Sequence, residues 1–414
     1  MNLSPRLTPA AAAAVALALT AGMLLLQGAH RGPFRIDEAH KISETVFLRL
    51  LLEGRVSDPL WLAHVVDRTN PPAGKYLLGA GIALQGGRLP DAPPLSHESL
   101  DGSIPPTHPA ESSAPYAPLL RKGRIAAIAA TSLAAAILAW TLAKGFGAGA
   151  AAAGILLFAT SFPVAGWGGT AIFDPFLALM FLAPLPLLLG LGRASTGRGL
   201  WWRACAAGAL AALAFQIRMS GLVVLGAVLV VAALAMRREP RRLAAWSILA
   251  SITFLTTAVA MNPYYWAAAA GPSATEGSRI LPARILARFA GQLGELGMLL
   301  DRVRSGTDDL RGPVAKLGYL AEIAFGDLSG IALMAGIVAA IALAPLTWRS
   351  TAAEGRSALV YAAAIALPYL AWLPLAWPRY VLPLMPALAL LGGAGWGWAV
   401  ARARAGLAQR REPA

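Results

Sequence analysis

The chain runs to 414 residues, of which 57% are hydrophobic and 14% charged, a balance far from that of a water-soluble globular domain. A net charge of +14 does not make it a nucleic-acid binder, because its Lys and Arg fall in short clusters between apolar runs, with no basic stripe interleaved with aromatics. The one cysteine, Cys205, lies inside an apolar run, which excludes an internal disulfide and a Cys-based metal centre and leaves the redox compartment open.

Taken in chain order, the apolar runs predict an all-α polytopic membrane protein of about ten spans, near 9–27, 125–143, 147–165, 171–190, 203–217, 219–236, 243–261, 328–347, 357–376 and 380–400. The first run is longer than the core of a cleaved signal peptide, which is the alternative reading for it. Residues 1–414 read as a single membrane domain with two long loops, 28–123 and 262–327. Lys144, Arg193, Arg198, Arg203, the "RREPRR" turn at 237–242, Arg349, Arg356 and the basic tail 401–414 fall in the other set of loops. By the positive-inside rule that set is cytoplasmic, as are both termini. The long loops then face the periplasm or its equivalent, most simply across a bacterial inner membrane. The stretch 71–87 is too short to span and carries Lys75, so it reads as a re-entrant or interfacial helix. The Pro/Ser-rich 88–118 reads as a solvated excursion.

Within the first long loop, the spacing past Asp37 predicts an amphipathic surface helix up to Gly54. Ile42, Val46, Phe47, Leu50 and Leu51 fall on one face, and Lys41, Glu44, Arg49 and Glu53 largely on the other. "DPLWLAHVVD" places Trp61 at headgroup level. In "DRTNPPAGKYLLG", Asn70 is a good N-cap for a helix beginning at Pro71 or Pro72. Lys75 then sits in the first turn, where a bound anion would relieve its conflict with the helix dipole; snorkelling to the headgroups is the plainer account. Asp37 and Glu38 read either as a cap and dipole compensation or as a base and its partner. His40, three residues on, would orient a carboxylate or face water.

Combined with the topology, Asp37, Lys75, Arg124, Asp174, Arg218 and Arg379 all fall at the outer membrane boundary, from separate segments. Charges there are costly and mark sites, and four cations where cations are scarce call for an anion such as a phosphate. Singly, Asp174 bridging Arg218, and Arg379 anchoring beside Trp377 and Tyr380, are the structural alternatives. Ligation of a divalent cation by Asp37, Glu38 and His40 is a further alternative, but no second carboxylate/His cluster completes such a site, and no cofactor is expected.

"IDEAHKIS", then "NPPAGKYLL", "PYAPLLRKGRIAAIAA" and the late "RYVLPLMPALALL" resemble the protein O-mannosyltransferase group of the GT-C glycosyltransferases. The match covers most of 1–262 in order. The resemblance implies a GT-C-like bundle with extracytoplasmic amphipathic helices. It also implies an inverting hexosyl or mannosyl transfer from a polyprenyl-phosphate carrier to an acceptor hydroxyl of a protein, glycan or lipid. Carried over, Asp37 is the general base and Glu38 its partner. Arg124 is then a phosphate or active-site cation, and Lys75 sits at the family's lysine position; the charges at the outer boundary add Arg218 and Arg379 to these as donor-phosphate cations, with His40, Asn70 and Asp174 in support. Two departures stand out: Asn70 replaces the family's usual His, and the second long loop is too short for the soluble domain that eukaryotic members carry.

The chemistry agrees. A polyprenyl phosphate is a charged leaving group that Arg and Lys stabilise without a metal, so the reaction lacks only a base for the acceptor's proton. A transporter or lipid flippase would instead place charges near the midplane and break helices in symmetric halves. A lipid-linked-glycan ligase would consume a diphosphate carrier, and a non-catalytic polytopic subunit would consume none. In the second long loop, Ile285, Leu286, Phe289, Leu293 and Leu296 predict another amphipathic helix, over the site or on the membrane surface. "GFGAGAAAAG" predicts close helix packing.

Overall fold

The computed structural model describes residues 8–31, 35–63, 71–95, 114–191, 198–266, 283, 285–292, 294, 297, 312–372 and 378–409. Among them every regular element is helical. In chain order these are α1 (Pro9–Leu26), α2 (Ile36–Ser43), α3 (Val46–Leu52), α4 (Leu60–Ala63), α5 (Ala73–Leu84), α6 (Ala117–Phe146), α7 (Ala148–Thr160) and α8 (Phe162–Trp167). There follow α9 (Asp174–Leu182), α10 (Leu185–Leu188), α11 (Arg198–Ile217), α12 (Leu222–Ala235), α13 (Pro240–Ala260) and α14 (Pro263–Trp266). The last are α15 (Gly312–Phe325), α16 (Leu328–Thr347), α17 (Ala353–Trp372), α18 (Pro378–Val381) and α19 (Met385–Gln409).

The apolar runs become the helices their length requires, and the molecule is an integral membrane protein. Pro9–Leu26, Ala117–Phe146, Arg198–Ile217, Pro240–Ala260, Leu328–Thr347 and Pro378–Leu407 are each long and apolar enough to cross a bilayer. The other predicted spans come as shorter or jointed pieces. α7 stops at an extended Ser161 and α8 restarts with Pro163 in its first turn; α9 gives way to α10 beside Pro184.

α6 is the hub. Between Arg124 and Lys144 it is free of charge all round, and it packs against α1, α5, α7, α9, α17 and α19, so nearly every turn is buried. α13 and α16, by contrast, expose Ile248, Ile252 and Leu255, and Ile331, Val338 and Ile341, the stripes of helices that face lipid. Small residues set the spacing between axes. A Cβ on Gly208 of α11 would lie 2.2 Å from the Ala250 carbonyl oxygen of α13. Gly145, in the predicted close-packing tract, meets Gly355 across α6 and α17 in the same way.

The bundle has two chemically distinct ends. α11 begins at Arg198 and delivers Arg218 just past its last turn, about 30 Å away at 1.5 Å per residue. α6 likewise separates Arg124 from Lys144. The basic turns gather at one end, and Asp37, Arg124, Asp174, Arg218 and Arg379 at the other.

Three local expectations are corrected. The helix expected from Asp37 to Gly54 is two helices with a break at Glu44 and Thr45. There the Ser43 and Thr45 hydroxyls donate to the carbonyls of His40 and Ile42, at 2.7 and 2.6 Å. It does not lie on a surface: Glu44, assigned to the outer face, is buried between Lys41 and Lys75. Trp61, expected among headgroups, is buried 4.8 Å from the Phe47 ring. Finally, α5 begins at Ala73 with Pro72 in the cap position, while Asn70 lies outside the described residues. At about 18 Å it is short of a span, and it packs against α3, α6 and α11, which fits a re-entrant piece and not an interfacial one.

In the second long loop, residues 285–292 are helical. Their polar side faces inward: Arg288 Nη1 donates to the Tyr264 carbonyl (2.5 Å), and the Tyr265 hydroxyl donates to Gln292 (2.6 Å), while Leu286 is exposed. This inverts the amphipathic sense expected in water, as a lipid-exposed apolar face does. Leu293 and Leu296 fall outside the described residues.

Gly208→Ala should separate α11 from α13 and destabilise the protein by about 1–3 kcal/mol. Gly22→Ala, where the added Cβ meets nothing within 4 Å, should leave the detergent melting temperature unchanged; equal melting of both variants would contradict this packing.

Candidate functional site

The first turn of α2 presents two carboxylates about 100° apart around the helix, and their environments differ. Glu38 points inward and is fully buried. Arg124 of α6 grips it in a fork, Nε to Oε1 at 2.7 Å and Nη2 to Oε2 at 2.6 Å. The Ala171 amide donates to Oε1 (2.9 Å) and the Arg35 amide to Oε2 (3.1 Å). Glu38 thus caps α2 from its third position, with Arg35 as the cap residue, so the capping role weighed for Asp37 falls to its neighbour. The same carboxylate fixes the non-helical segment 168–173, whose Gly168 carbonyl also accepts from Thr131 Oγ1 (2.7 Å).

Asp37 is 34% exposed and forms an ion pair with Arg379 of α18, itself 13% exposed. The ring of Tyr380 contacts two guanidinium groups, 5.2 Å from that of Arg379 and 4.6 Å from that of Arg218. Arg218 in turn donates to Asp174 at 2.6 Å. Asp174 opens α9, where its charge suits the helix N-terminus. The structure therefore links Asp37, Arg379, Tyr380, Arg218 and Asp174 into one chain of contacts from α2, α18, the end of α11 and α9.

Lys75 belongs to a second cluster. Its ammonium lies 3.7 Å from Glu44 Oε2 and 4.3 Å from the Phe47 ring, and it is 2% exposed. Lys41 also pairs with Glu44 and stacks 5.0 Å from Phe173. Gly74 permits this approach, since a Cβ there would lie 2.7 Å from Phe173. His40 is buried, its Nδ1 3.2 Å from the Leu95 carbonyl oxygen. Burial, reinforced by Lys41, holds its imidazole below the ordinary 6.5.

Asp37, Glu38 and His40 each turn to a different partner. Among the described residues no group of three or more His, Cys, Asp or Glu side chains is gathered as a metal site. Sequence reasoning missed Lys41, Glu44 and Tyr380, the first two because a helical wheel placed them on the solvent side. It also missed an apolar groove of about 900 Å³ between α12 and α17, lined by Phe215, Met219, Ser220, Val223, Val360 and Leu367 among others. The groove begins at the residues flanking Arg218.

No protein-family model and no curated protein matches the chain. Among solved structures, the crystal structure of ArnT from Cupriavidus metallidurans bound to undecaprenyl phosphate is similar, with a TM-score of 0.52 and 16% identity. The likeness covers 92% of this chain and 59% of that one, so the present chain spans well under two thirds of its length. It is a likeness of fold, and it bears out the expected GT-C-like helical bundle.

Glu38→Gln should cost about 3–5 kcal/mol by leaving the Arg124 guanidinium buried without its counter-charge. Asp37→Asn, at a partly exposed pair, should cost no more than about 1 kcal/mol. Thermal unfolding in detergent reads both, and equal losses would refute the division of labour. His40 has a second signature. A histidine whose native pKa is depressed adds stability above 6.5 that is lost as the pH falls through the native value, so His40→Gln should flatten the acid limb of the stability curve. An unchanged limb would mean the imidazole is not held neutral.

Proposed function

We propose that the protein is a membrane glycosyltransferase that moves a sugar from a polyprenyl-phosphate carrier to an acceptor hydroxyl, with inversion. The observation that carries this reading is that Arg218, 21% exposed, immediately precedes Met219 and Ser220, which line the apolar groove between α12 and α17, and is joined across the Tyr380 ring to the Asp37–Arg379 pair. A groove of hydrocarbon character with a guanidinium-bearing residue next to its lining suits an amphiphile with an anionic head and a long apolar tail. The fold shared with ArnT, whose crystal structure holds undecaprenyl phosphate, supports the same ligand class.

In this reading Arg379 turns from Asp37 to the incoming phosphate, and Arg218, steadied by Asp174 and Tyr380, binds the same group. Asp37, released beside the anomeric carbon, takes the acceptor hydroxyl's proton as general base. The cations stabilise the phosphate as it leaves, so the step needs no further electrophile. Glu38 sets the position of Asp37 through α2, and Arg124 balances its charge; Lys75 adds positive potential from behind Glu44. The positive-inside rule puts this end outside the cytoplasm, where a polyprenyl-linked sugar is used and both chain termini are not. The loop motifs' resemblance to protein O-mannosyltransferases makes a mannosyl-type hexose the first donor to test, with protein Ser/Thr, glycan and lipid hydroxyls as acceptors. The charges stand at one end of the bundle and not at its middle, which separates this reading from a transport pathway.

Asp37→Asn is expected to lower turnover at least about a hundredfold in the folded protein. Near-normal transfer of labelled sugar from polyprenyl phosphate would remove the assignment. Arg218→Gln and Arg379→Gln should each weaken donor binding, and unchanged donor affinity in both would reduce them to structural anchors.

A further inference from the structure

At the opposite end of the bundle a separate cavity of about 430 Å³ is walled by Gly190 and Leu191, the end of α12 with the turn Met236–Glu239, Trp348, and the first turn of α17. It is separate from the carboxylate site, at the far end of α12, about 20 Å of helix away. Three arginines line it, Arg237, Arg238 and Arg356, the first two of them exposed. Arg356 donates to the Trp348 carbonyl at 3.4 Å, and among the described residues none of the three is ion-paired with a carboxylate. Two acids stand at the same wall: Glu239 lines the cavity but is held by Arg242 at 2.8 Å, and Glu354, in the first turn of α17, has its carboxylate 3.9 Å from where a Cβ on Gly190 would lie. The N-terminus of the 20-residue α17 adds its dipole to the same wall. Trp348 is partly exposed, as an indole at headgroup depth is.

We propose that this cavity binds the phosphate headgroup of an anionic phospholipid of the cytoplasmic leaflet. Basic cavities between spans on that side seat acidic headgroups, and guanidinium forks match phosphodiester oxygens. The acyl chains are accommodated by the lipid phase beside α12 and α17. The seat has a mechanical consequence: its arginines come from the ends of α12 and α17, the two helices that also form the apolar groove. A bound headgroup bridges them, so lipid composition on one side of the membrane sets the spacing of the groove near the other. The inference stands on the cavity and does not rest on the proposed transferase activity.

The test uses the full-length protein, exchanged into nanodiscs of phosphatidylcholine with or without phosphatidylglycerol. Lipid retention is read by native mass spectrometry and stability by thermal unfolding. Phosphatidylglycerol should be retained and should raise the melting temperature. The triple variant Arg237→Gln, Arg238→Gln, Arg356→Gln should lose on the order of a hundredfold in apparent affinity for that lipid, at about one kcal/mol per cation. A control variant, Arg349→Gln, Arg402→Gln, Arg404→Gln, removes as much charge from the same end but lines no part of the cavity, and should keep the shift. The proposal is overturned if the cavity variant, folded in phosphatidylcholine, retains phosphatidylglycerol as the parent does. It is overturned equally if the control loses as much, or if millimolar inorganic phosphate alone reproduces the shift.

Discussion

An ionised side chain inside an apolar bundle must meet its opposite, and that constraint shapes the whole of one end of this molecule. Glu38 and Arg124 meet it most completely, in a two-point grip buried to the last few per cent. Their pair joins α2 to α6, the helix against which most of the bundle packs, and through the Ala171 amide it holds the loop that starts α9. Such a pair is not a net source of stability so much as a fixed register, because either half alone would be an uncompensated charge. Once Glu38 is fixed, Asp37 has no freedom either: it must project from the same turn toward α18, where Arg379 receives it.

The consequence for function is a gradient of commitment among the cations. Arg124 and Lys75 are sealed in with Glu38 and Glu44, whereas Arg218 and Arg379 keep partial exposure and both contact the Tyr380 ring. A guanidinium that stacks on an aromatic ring while pairing with a partly exposed acid, as Arg379 does with Asp37, is held in place yet remains able to change partners, whereas the acid that holds Arg218, Asp174, is buried. Met219 and Ser220, the residues that follow Arg218, line the apolar groove, and neither of the sealed cations does. A ligand with a hydrocarbon tail and an anionic head would therefore meet Arg218 first, with Arg379 across the Tyr380 ring.

Much of this was legible before any fold was known. Uncharged runs of spanning length fix where helices lie, since lipid leaves the backbone no other partner. The topology then brings Asp37, Arg124, Asp174, Arg218 and Arg379 to one boundary without any knowledge of contacts. Periodicity failed where helices are buried on more than one side. Glu44 reads as solvent-facing on a wheel, yet Lys41 and Lys75 draw it inward, and the Ser43 and Thr45 hydroxyls break the helix that the wheel assumed. Arg288 and Gln292 mislead in the same way, because a helix with lipid on one flank and protein on the other buries its polar side. Tyr380 and the groove carry no local signal, since each depends on which helices end up side by side.

The most direct test is a structure of the full-length protein with a polyprenyl phosphate bound. The account predicts the phosphate within about 3 Å of Arg218 and Arg379, the isoprenoid lying between α12 and α17, and the Asp37–Arg379 contact opened. A headgroup seated elsewhere, with that contact intact and the groove empty, would contradict it.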